Sequence, residues 1–298
     1  MEKVGIMGAG NFGSAIASIL AVNKHVAVTL WDSDPAKLPD QQSLADVVRD
    51  ASFLFLCVPS WSLREAAASI LPHMQDGAII ISPTKGIEQG TLKTSDEILT
   101  ELFADRATVA LLHGPMLATE ITEGLPSFAT VASKSKDAFD RIAQLFAGST
   151  LTLEHSTDLH GVALAGVLKN VYSIGLGMTE AMRLGSNFRG WFVRAASREM
   201  AHIMIFCGAE GETAYTSAGI GDLVATGLSP YSRNCKVGHE IVQSGECSTV
   251  SEGGESAPQL MAILDRASVT APLARAIANI VAGKADASTI LAAARMLP

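Results

Sequence analysis

Two hydrophobic rhythms divide this chain. Up to about residue 155, short apolar runs alternate with Ala-rich segments of helical spacing; the runs cover residues 4–7, 26–31, 53–58, 78–81, 109–112, 128–132 and 151–153. Several are apolar at consecutive positions, as expected of strands buried on both faces by crossover helices. This half predicts a doubly wound α/β domain over residues 1–155. From Asp158 onward the strand signal fades, and residues 163–182, 191–206, 237–242, 259–265, 273–281 and 287–296 read as helices. Residues 156–298 are therefore expected to form an all-helical domain. No Pro/Gly/Ser-rich linker separates the halves, which predicts close packing and a cleft suited to a small molecule.

Composition narrows the function classes. With 298 residues, 48% of them hydrophobic and 17% charged, the chain is too apolar for disorder and long enough for two cores of about 150 residues each. Its apolar stretches are broken by His, Gly or charge before the ~20 residues of a membrane span, so none is expected. Thirty acidic residues against 22 basic give a net charge of −8 without any Lys/Arg run, which argues against nucleic acid as a partner. Cys57, Cys207, Cys235 and Cys247 show neither CxxC pairing nor metal-ligand spacing, so free thiols and no metal are expected. Met1-Glu2-Lys3 runs directly into the first apolar segment, which predicts no targeting peptide and a cytoplasmic location.

The first strand leads into Gly8-Ala9-Gly10-Asn11-Phe12-Gly13. This is GxGxxG in its dinucleotide-binding context: Gly8 for the tight turn, Gly10 for close approach of a pyrophosphate, Gly13 for helix-on-strand packing. It makes the first domain Rossmann-type. Asp32 closes the second apolar run, where a carboxylate accepts from the ribose hydroxyls and repels a 2′-phosphate. NAD is therefore preferred over NADP. Beside Ser33, Asp34 and Pro35, the plainer reading of Asp32 is a turn former.

Ligands of such sheets sit beyond the carboxyl ends of the strands, so the turns there come first. Three carry chemistry: Cys57-Val58-Pro59-Ser60, Ser82-Pro83-Thr84-Lys85-Gly86 and His113-Gly114-Pro115. Lys85 is either a solvated loop lysine or a cation at the cofactor's edge. His113 is either a donor to substrate or a hydrogen-bonded structural residue closing a strand. In the helical half, Lys169-Asn170 interrupts an otherwise apolar helix. Burial there would lower the lysine pKa towards acid-base usefulness, unless the side chain snorkels to water. Asp222 and Thr226 stand four apart on one helical face, and Arg233 with Asn234 could form a phosphate fork. Each of these, taken alone, is as well explained by structure as by chemistry.

Together they resemble the NAD(P)-dependent glycerol-3-phosphate dehydrogenase family. The likeness runs in order through GAGNFG (Gly8 to Gly13), VPS (Val58 to Ser60), TKG (Thr84 to Gly86), GPMLATE (Gly114 to Glu120) and LKN (Leu168 to Asn170). It continues through GDLVAT (Gly221 to Thr226), SRN (Ser232 to Asn234) and EGG (Glu252 to Gly254), spanning nearly the whole chain. The resemblance implies reversible hydride transfer between NAD or NADP and C2 of dihydroxyacetone phosphate or glycerol 3-phosphate, supplying glycerophospholipid synthesis. It implies Lys169 as general acid and base, Lys85 polarising the carbonyl, and Asp222 setting the charge state of Lys169. Asn170, Thr226 and Gly114 would belong to the substrate site, with Arg233 and Asn234 on the phosphate. Pro59, Lys85 and Arg233 would join Gly8, Gly10, Asn11, Phe12, Gly13 and Asp32 around the cofactor. A cytoplasmic homodimer assembled through the helical half is implied as well.

The chain departs from that family's pattern in places. Only residues 36–50 fill the space between the second and third strands, where a longer segment is usual. Trp61, Leu63, Leu117, Thr119 and Gly227 replace residues more frequent in the family. Two other readings compete: a related two-domain reductase of β-hydroxyacid dehydrogenase or pyrroline-carboxylate reductase type, and a catalytically silent NAD-binding sensor. The first would not need Lys85 together with the Arg233-Asn234 pair, and the second predicts cofactor binding without turnover.

Overall fold

A computed structural model describes residues 1–103 and 105–295. The chain forms two compact units: Met1–Thr84 with Ser95–Leu159, and Lys85–Thr94 with the chain from His160 onward. The short excursion at Lys85–Thr94 thus belongs with the helical unit although it lies inside the α/β half of the sequence.

The first unit runs β1 (Glu2–Met7), α1 (Asn11–Leu20), β2 (Val26–Trp31), α2 (Leu44–Arg49), β3 (Phe53–Leu56), α3 (Leu63–Ile70) and β4 (Ala78–Ser82). After the excursion it resumes with α4 (Ser95–Phe103), β5 (Ala107–His113), α5 (Ala118–Thr122), β6 (Ser127–Ala132), α6 (Lys136–Leu145) and β7 (Leu151–Ser156). The strands make one sheet in the order β2-β1-β3-β4-β5-β6-β7. All neighbouring pairs are parallel except β5 and β6. The chain leaves β1 for the edge strand β2 and returns to β3 on the other side, so the loops after β1 and β3 flank the switch point where such sheets bind ligands.

The consecutive apolar runs explain the central strands. Every residue of β3 and β4 is buried, because helices cover both faces. Phe53 and Phe55 join Ile6, Ile16, Leu112 and Ile142 in the core, with the Phe55 ring edge-on to Phe146 at 6.2 Å. The third strand ends at Leu56, two residues before the apolar run does, which leaves Cys57 and Val58 in the loop. Serines start the helices where the sequence turns polar: Ser43 accepts from the Asp46 N–H and Ser135 from the Ala138 N–H.

The second unit contains α7 (Leu159–Ala181), α8 (Gly185–Phe206), α9 (Asp222–Gly227), α10 (Arg233–Ser244), α11 (Glu252–Arg266), α12 (Pro272–Val281) and α13 (Thr289–Arg295). The sequence-predicted last helix reaches Met296, which lies outside the described residues. Contrary to the expectation that apolar stretches fall short of membrane-spanning length, α7 is long and apolar enough, with a mean hydropathy of 1.3. Its most apolar 18 residues are wholly buried, so α7 is the central helix of this unit's core. Its glycines permit close packing; a Cβ on Gly177 would stand 2.3 Å from the Cys235 carbonyl oxygen of α10.

Candidate active site

In the first unit, the turn after β1 holds Gly8 at φ +101°. A Cβ there would lie 2.3 Å from the Cys57 carbonyl oxygen, and one on Gly13 only 1.9 Å from the Gly8 carbonyl oxygen. These two glycines lock the loops after β1 and β3 against the start of α1. Gly10 has open space around its Cβ position and leaves α1 without a side-chain cap. Uncapped first-turn N–H groups and open backbone match what a pyrophosphate requires. Asn11 begins the helix exposed, whereas Phe12 packs partly into the core. Pro59 is exposed at the start of a short turn leading to α3.

Asp32 sits deeper in this network than its sequence position suggests. Its Oδ2 accepts from the Ala9 N–H at 2.8 Å and its Oδ1 from the Asp34 N–H at 2.9 Å, while Lys37 Nζ lies 3.1 Å from Oδ2. Burial pushes the carboxyl pKa up, but these two N–H groups and the Lys37 ammonium outweigh it and hold the pKa below the ordinary value. The Gln41 amide clamps the same residue's backbone, accepting from its N–H at 2.7 Å and donating to its carbonyl at 2.8 Å. The short segment after β2 is thus tied to Asp32 by Lys37 and Gln41, neither of which the sequence singled out. The uncapped start of α1 and the open space at Gly10 fit the pyrophosphate of a dinucleotide.

Also in this unit, His113 is fully buried, with Nε2 3.2 Å from the Thr84 carbonyl oxygen. Its structural reading prevails over a substrate contact. Gly114 meets the β6 backbone: a Cβ would come 2.4 Å from the Phe128 carbonyl oxygen, so packing already accounts for its lack of a side chain.

The second unit gathers the cations. Asp222, at the start of α9 behind a π-type turn (Ser217–Gly221), stands between two lysines. Its Oδ2 accepts from Lys85 Nζ at 2.6 Å and its Oδ1 from Lys169 Nζ at 3.2 Å. Lys169 also donates to Thr226 Oγ1 at 2.8 Å, and that hydroxyl donates on to Asp222 Oδ1 at 2.9 Å. The i to i+4 spacing on α9 therefore places Asp222 and Thr226 together, as the sequence indicated. Lys169 does not snorkel; its side chain is 6% exposed. Burial lowers its pKa to about 8; Asp222 opposes the fall and the Lys85 charge adds to it. Burial raises the Asp222 pKa, yet the two ammonium groups reverse this and keep it ionised below the usual carboxylate range.

Next to Lys169 on α7, Asn170 forms a second network. Its Oδ1 accepts from Asn234 Nδ2 at 2.8 Å, and Asn234 Oδ1 accepts from the Gly253 N–H at 3.0 Å. Ser232 caps α10 by accepting from the Cys235 N–H, which directs Asn234 inward and leaves Arg233 exposed. Arg233 forms no hydrogen bond or ion pair among the described residues. Cys235 is turned into the interior, donating to the Gly227 carbonyl at 3.0 Å, and burial lifts its thiol to about 11.

Comparison with known proteins decides the family. The family model described as the NAD-dependent glycerol-3-phosphate dehydrogenase C-terminus matches residues 158–292, and the corresponding N-terminus model matches 3–42 and 33–139. A glycerol-3-phosphate dehydrogenase (NAD(P)+) of Caulobacter vibrioides is 32% identical over 98% of this chain and 96% of its own. The chain belongs to this family. A namesake enzyme of Teredinibacter turnerae is 35% identical over 80% of this chain and 76% of its own. The crystal structure of glycerol-3-phosphate dehydrogenase from Coxiella burnetii has the same fold, with a TM-score of 0.87 at 24% identity, covering 98% of this chain and 97% of that one.

Within the glycerol-3-phosphate dehydrogenase family framework, several residues that support the site escaped the sequence reading. Glu199 of α8 is buried, accepts from the Tyr172 hydroxyl of α7 at 2.9 Å, and receives the Leu273 and Ala274 N–H groups at the start of α12. A lone glutamate in an amphipathic helix gives no signal of this. Gly253 lay inside the EGG motif but had no role assigned. Lys37 and Gln41 looked like ordinary polar loop residues.

Proposed function

We propose that this protein is a glycerol-3-phosphate dehydrogenase using NAD(P), reducing dihydroxyacetone phosphate at C2 and running in reverse on sn-glycerol 3-phosphate. The observation that carries the assignment is Asp222 bridging Lys85 and Lys169 in a chain of this family. The nucleotide, when bound, supplies or takes the hydride. Residues 1–155 hold it, through Gly8, Gly10, Asn11, Phe12, Gly13, Asp32 and Pro59, and Lys85 and Arg233 are assigned to the cofactor as well. Residues 156–298, with Lys85, grip the triose phosphate.

Reduction places negative charge on the C2 oxygen, and positioned cations stabilise it most where it is greatest, in the transition state. Lys169 donates the proton that turns the alkoxide into the alcohol. Losing it leaves Lys85 and Asp222 as a neutral pair, so the cluster does not strand an unpaired charge. In oxidation the neutral Lys169 amine accepts the same proton from the hydroxyl. Lys85 polarises the carbonyl, and Thr226 with Asp222 fixes the direction of the Lys169 ammonium. Arg233, exposed and without a hydrogen bond or ion pair among the described residues, meets the phosphate together with Asn234, and Asn170 belongs to the same substrate site. A guanidinium is well suited to that oxyanion. We assign the enzyme to the cytoplasm as a homodimer and its product to glycerophospholipid synthesis, with NADH preferred because Asp32 disfavours a 2′-phosphate.

The test mixes purified protein with dihydroxyacetone phosphate and either NADH or NADPH and follows nicotinamide absorbance. Turnover with one or both is expected. Cofactor binding without turnover on this substrate would favour the sensor reading instead.

A further inference from the structure

We propose that Cys235 is a positioning residue for the proton donor: its thiol ties the end of α9 to α7 and α10 and so aims the Thr226 hydroxyl at the Lys169 ammonium. The thiol touches neither substrate nor cofactor and acts through Thr226. This deepens the reductase reading above, on which it rests.

Thr226 stands in the last turn of a six-residue helix, and so short a helix holds its own end poorly. Asp222, at its start, is fixed by two lysines; Thr226, at its end, needs an anchor of its own. Cys235 supplies it. Its Sγ lies 3.0 Å from the Gly227 carbonyl oxygen and 3.5 Å from that of Thr226, both at the end of α9, and 3.5 Å from the Ser173 carbonyl oxygen of α7. The single thiol proton goes to Gly227, the nearest of the three. Ser173 lies one turn beyond Lys169 and donates its hydroxyl to the Lys169 carbonyl at 2.7 Å, so the sulfur's contact on α7 belongs to the same turn as the lysine. Cys235 is held in its turn by Ser232, which accepts its N–H at 3.2 Å. From the end of α9 so anchored, Thr226 Oγ1 accepts from Lys169 Nζ at 2.8 Å.

The packing calls for a small donor at this junction. α10 crosses α7 in backbone contact, since a Cβ on Gly238 would stand 2.2 Å from the Ile174 carbonyl oxygen. The end of α9 closes on α7 as tightly, since a Cβ on Gly227 would stand 2.3 Å from Leu176 Cδ1. Burial keeps the Cys235 thiol protonated, with a pKa of about 11, so it donates at every pH at which Lys169 titrates. The charged groups facing Lys169 are Asp222 from α9 and Lys85 from the Lys85–Thr94 segment; the sulfur, from α10, is neutral beside them. Moving Thr226 away removes a hydrogen bond that favours the ammonium, so the Lys169 pKa falls.

The Lys169 titration is the readout, followed by NMR in the full chain carrying lysine labelled with carbon-13 at Cε. A lysine titrating near 8 stands clear of the ordinary lysine range and is assigned by its loss in Lys169→Ala. Beside it, kcat and KM are measured for reduction of dihydroxyacetone phosphate by NADH. Cys235→Ala is expected to lower the Lys169 pKa by about half a unit and kcat at neutral pH by about tenfold, with both KM values unmoved. Cys235→Ser keeps a donor and should restore both quantities. Cys235→Val keeps bulk without the proton, and stands in for the alanine variant if that one fails to fold. In a Thr226→Val background the cysteine substitutions should change nothing further. A titration that ignores Cys235→Ala, or that falls equally with and without the Thr226 hydroxyl, overturns the proposal, and so does a serine variant as impaired as the alanine one. Absence of triose turnover in wild type would sink the functional reading alone, since the titration still decides the part played by the thiol.

Discussion

Burial strips water from the Lys169 ammonium, and the one carboxylate beside it is shared with Lys85, so the proton is held loosely. With the pKa near 8, the acid form dominates below that pH and the amine above it. Reduction needs the acid, so its kcat should fall as pH rises through about 8; oxidation needs the amine and should rise over the same interval. Replacing Lys85 by Met removes a charge that lowers the Lys169 pKa, so the reduction limb should move to higher pH. Asp222→Asn removes the charge that raises it and should move the limb lower, with a loss of rate from misdirection of the ammonium. Limbs that ignored both substitutions would assign the titration to another group. Lys169→Ala should keep NADH affinity, measured by fluorescence, while kcat drops by roughly 10² to 10⁴, the usual scale of a lost general acid. The sequence made Lys169 conspicuous because a lysine among apolar neighbours needs a partner. It could not supply the triad, since Asp222 lies 53 residues from one lysine and 137 from the other.

At the scale of elements, the β1 turn and the segment after β2 act as one piece because Asp32 is bonded to the Ala9 N–H. Removing its charge and removing its acceptor should therefore have different consequences. Asp32→Asn keeps an oxygen for Ala9 and should narrow the NADH to NADPH preference, by about tenfold in the ratio of kcat/KM, while keeping NADH binding. Asp32→Ala should narrow it too but also weaken both cofactors by loosening the glycine turn. Lys37→Ala removes the ammonium that offsets the carboxylate's charge and should widen the preference; steady-state kinetics with both cofactors checks all three. Glu199 does comparable work for the helices. Its loss in Glu199→Ala leaves the Leu273 and Ala274 N–H groups and the Tyr172 hydroxyl buried without a partner. A destabilisation on the order of 3 kcal/mol or more is expected from denaturant midpoints at unchanged slope. The GxGxxG turn was legible because its glycines recur within six residues, with Gly13 packed on the carbonyl of Gly8. Glu199 was not, since its partners come from helices α7 and α12, one before it and one far after it in the chain.

For the whole molecule, the change of rhythm near residue 155 made the α/β and helical halves readable, because strand burial and helix spacing are local patterns. The excursion Lys85–Thr94 was not readable: it leaves the first unit and returns, and no local pattern reports which core a ten-residue loop joins. The same division governs where ligands should leave their mark. NADH binding is assigned mainly to residues of the first unit and the phosphate ester mainly to those of the second. A ligand that binds only the folded form adds about 2.7 kcal/mol at a hundredfold its Kd, and amides that exchange through opening of the bound region slow accordingly. Hydrogen-exchange mass spectrometry with NADH alone should thus show protection in residues 4–16 and 53–62. Dihydroxyacetone phosphate alone should protect residues 85–94, 165–173, 222–235 and 251–256. Protection of residues 165–173 by dihydroxyacetone phosphate, weakened in Lys169→Ala, would tie the start of the catalytic helix to the substrate; protection there by NADH alone would tie it to the cofactor and contradict the assignment.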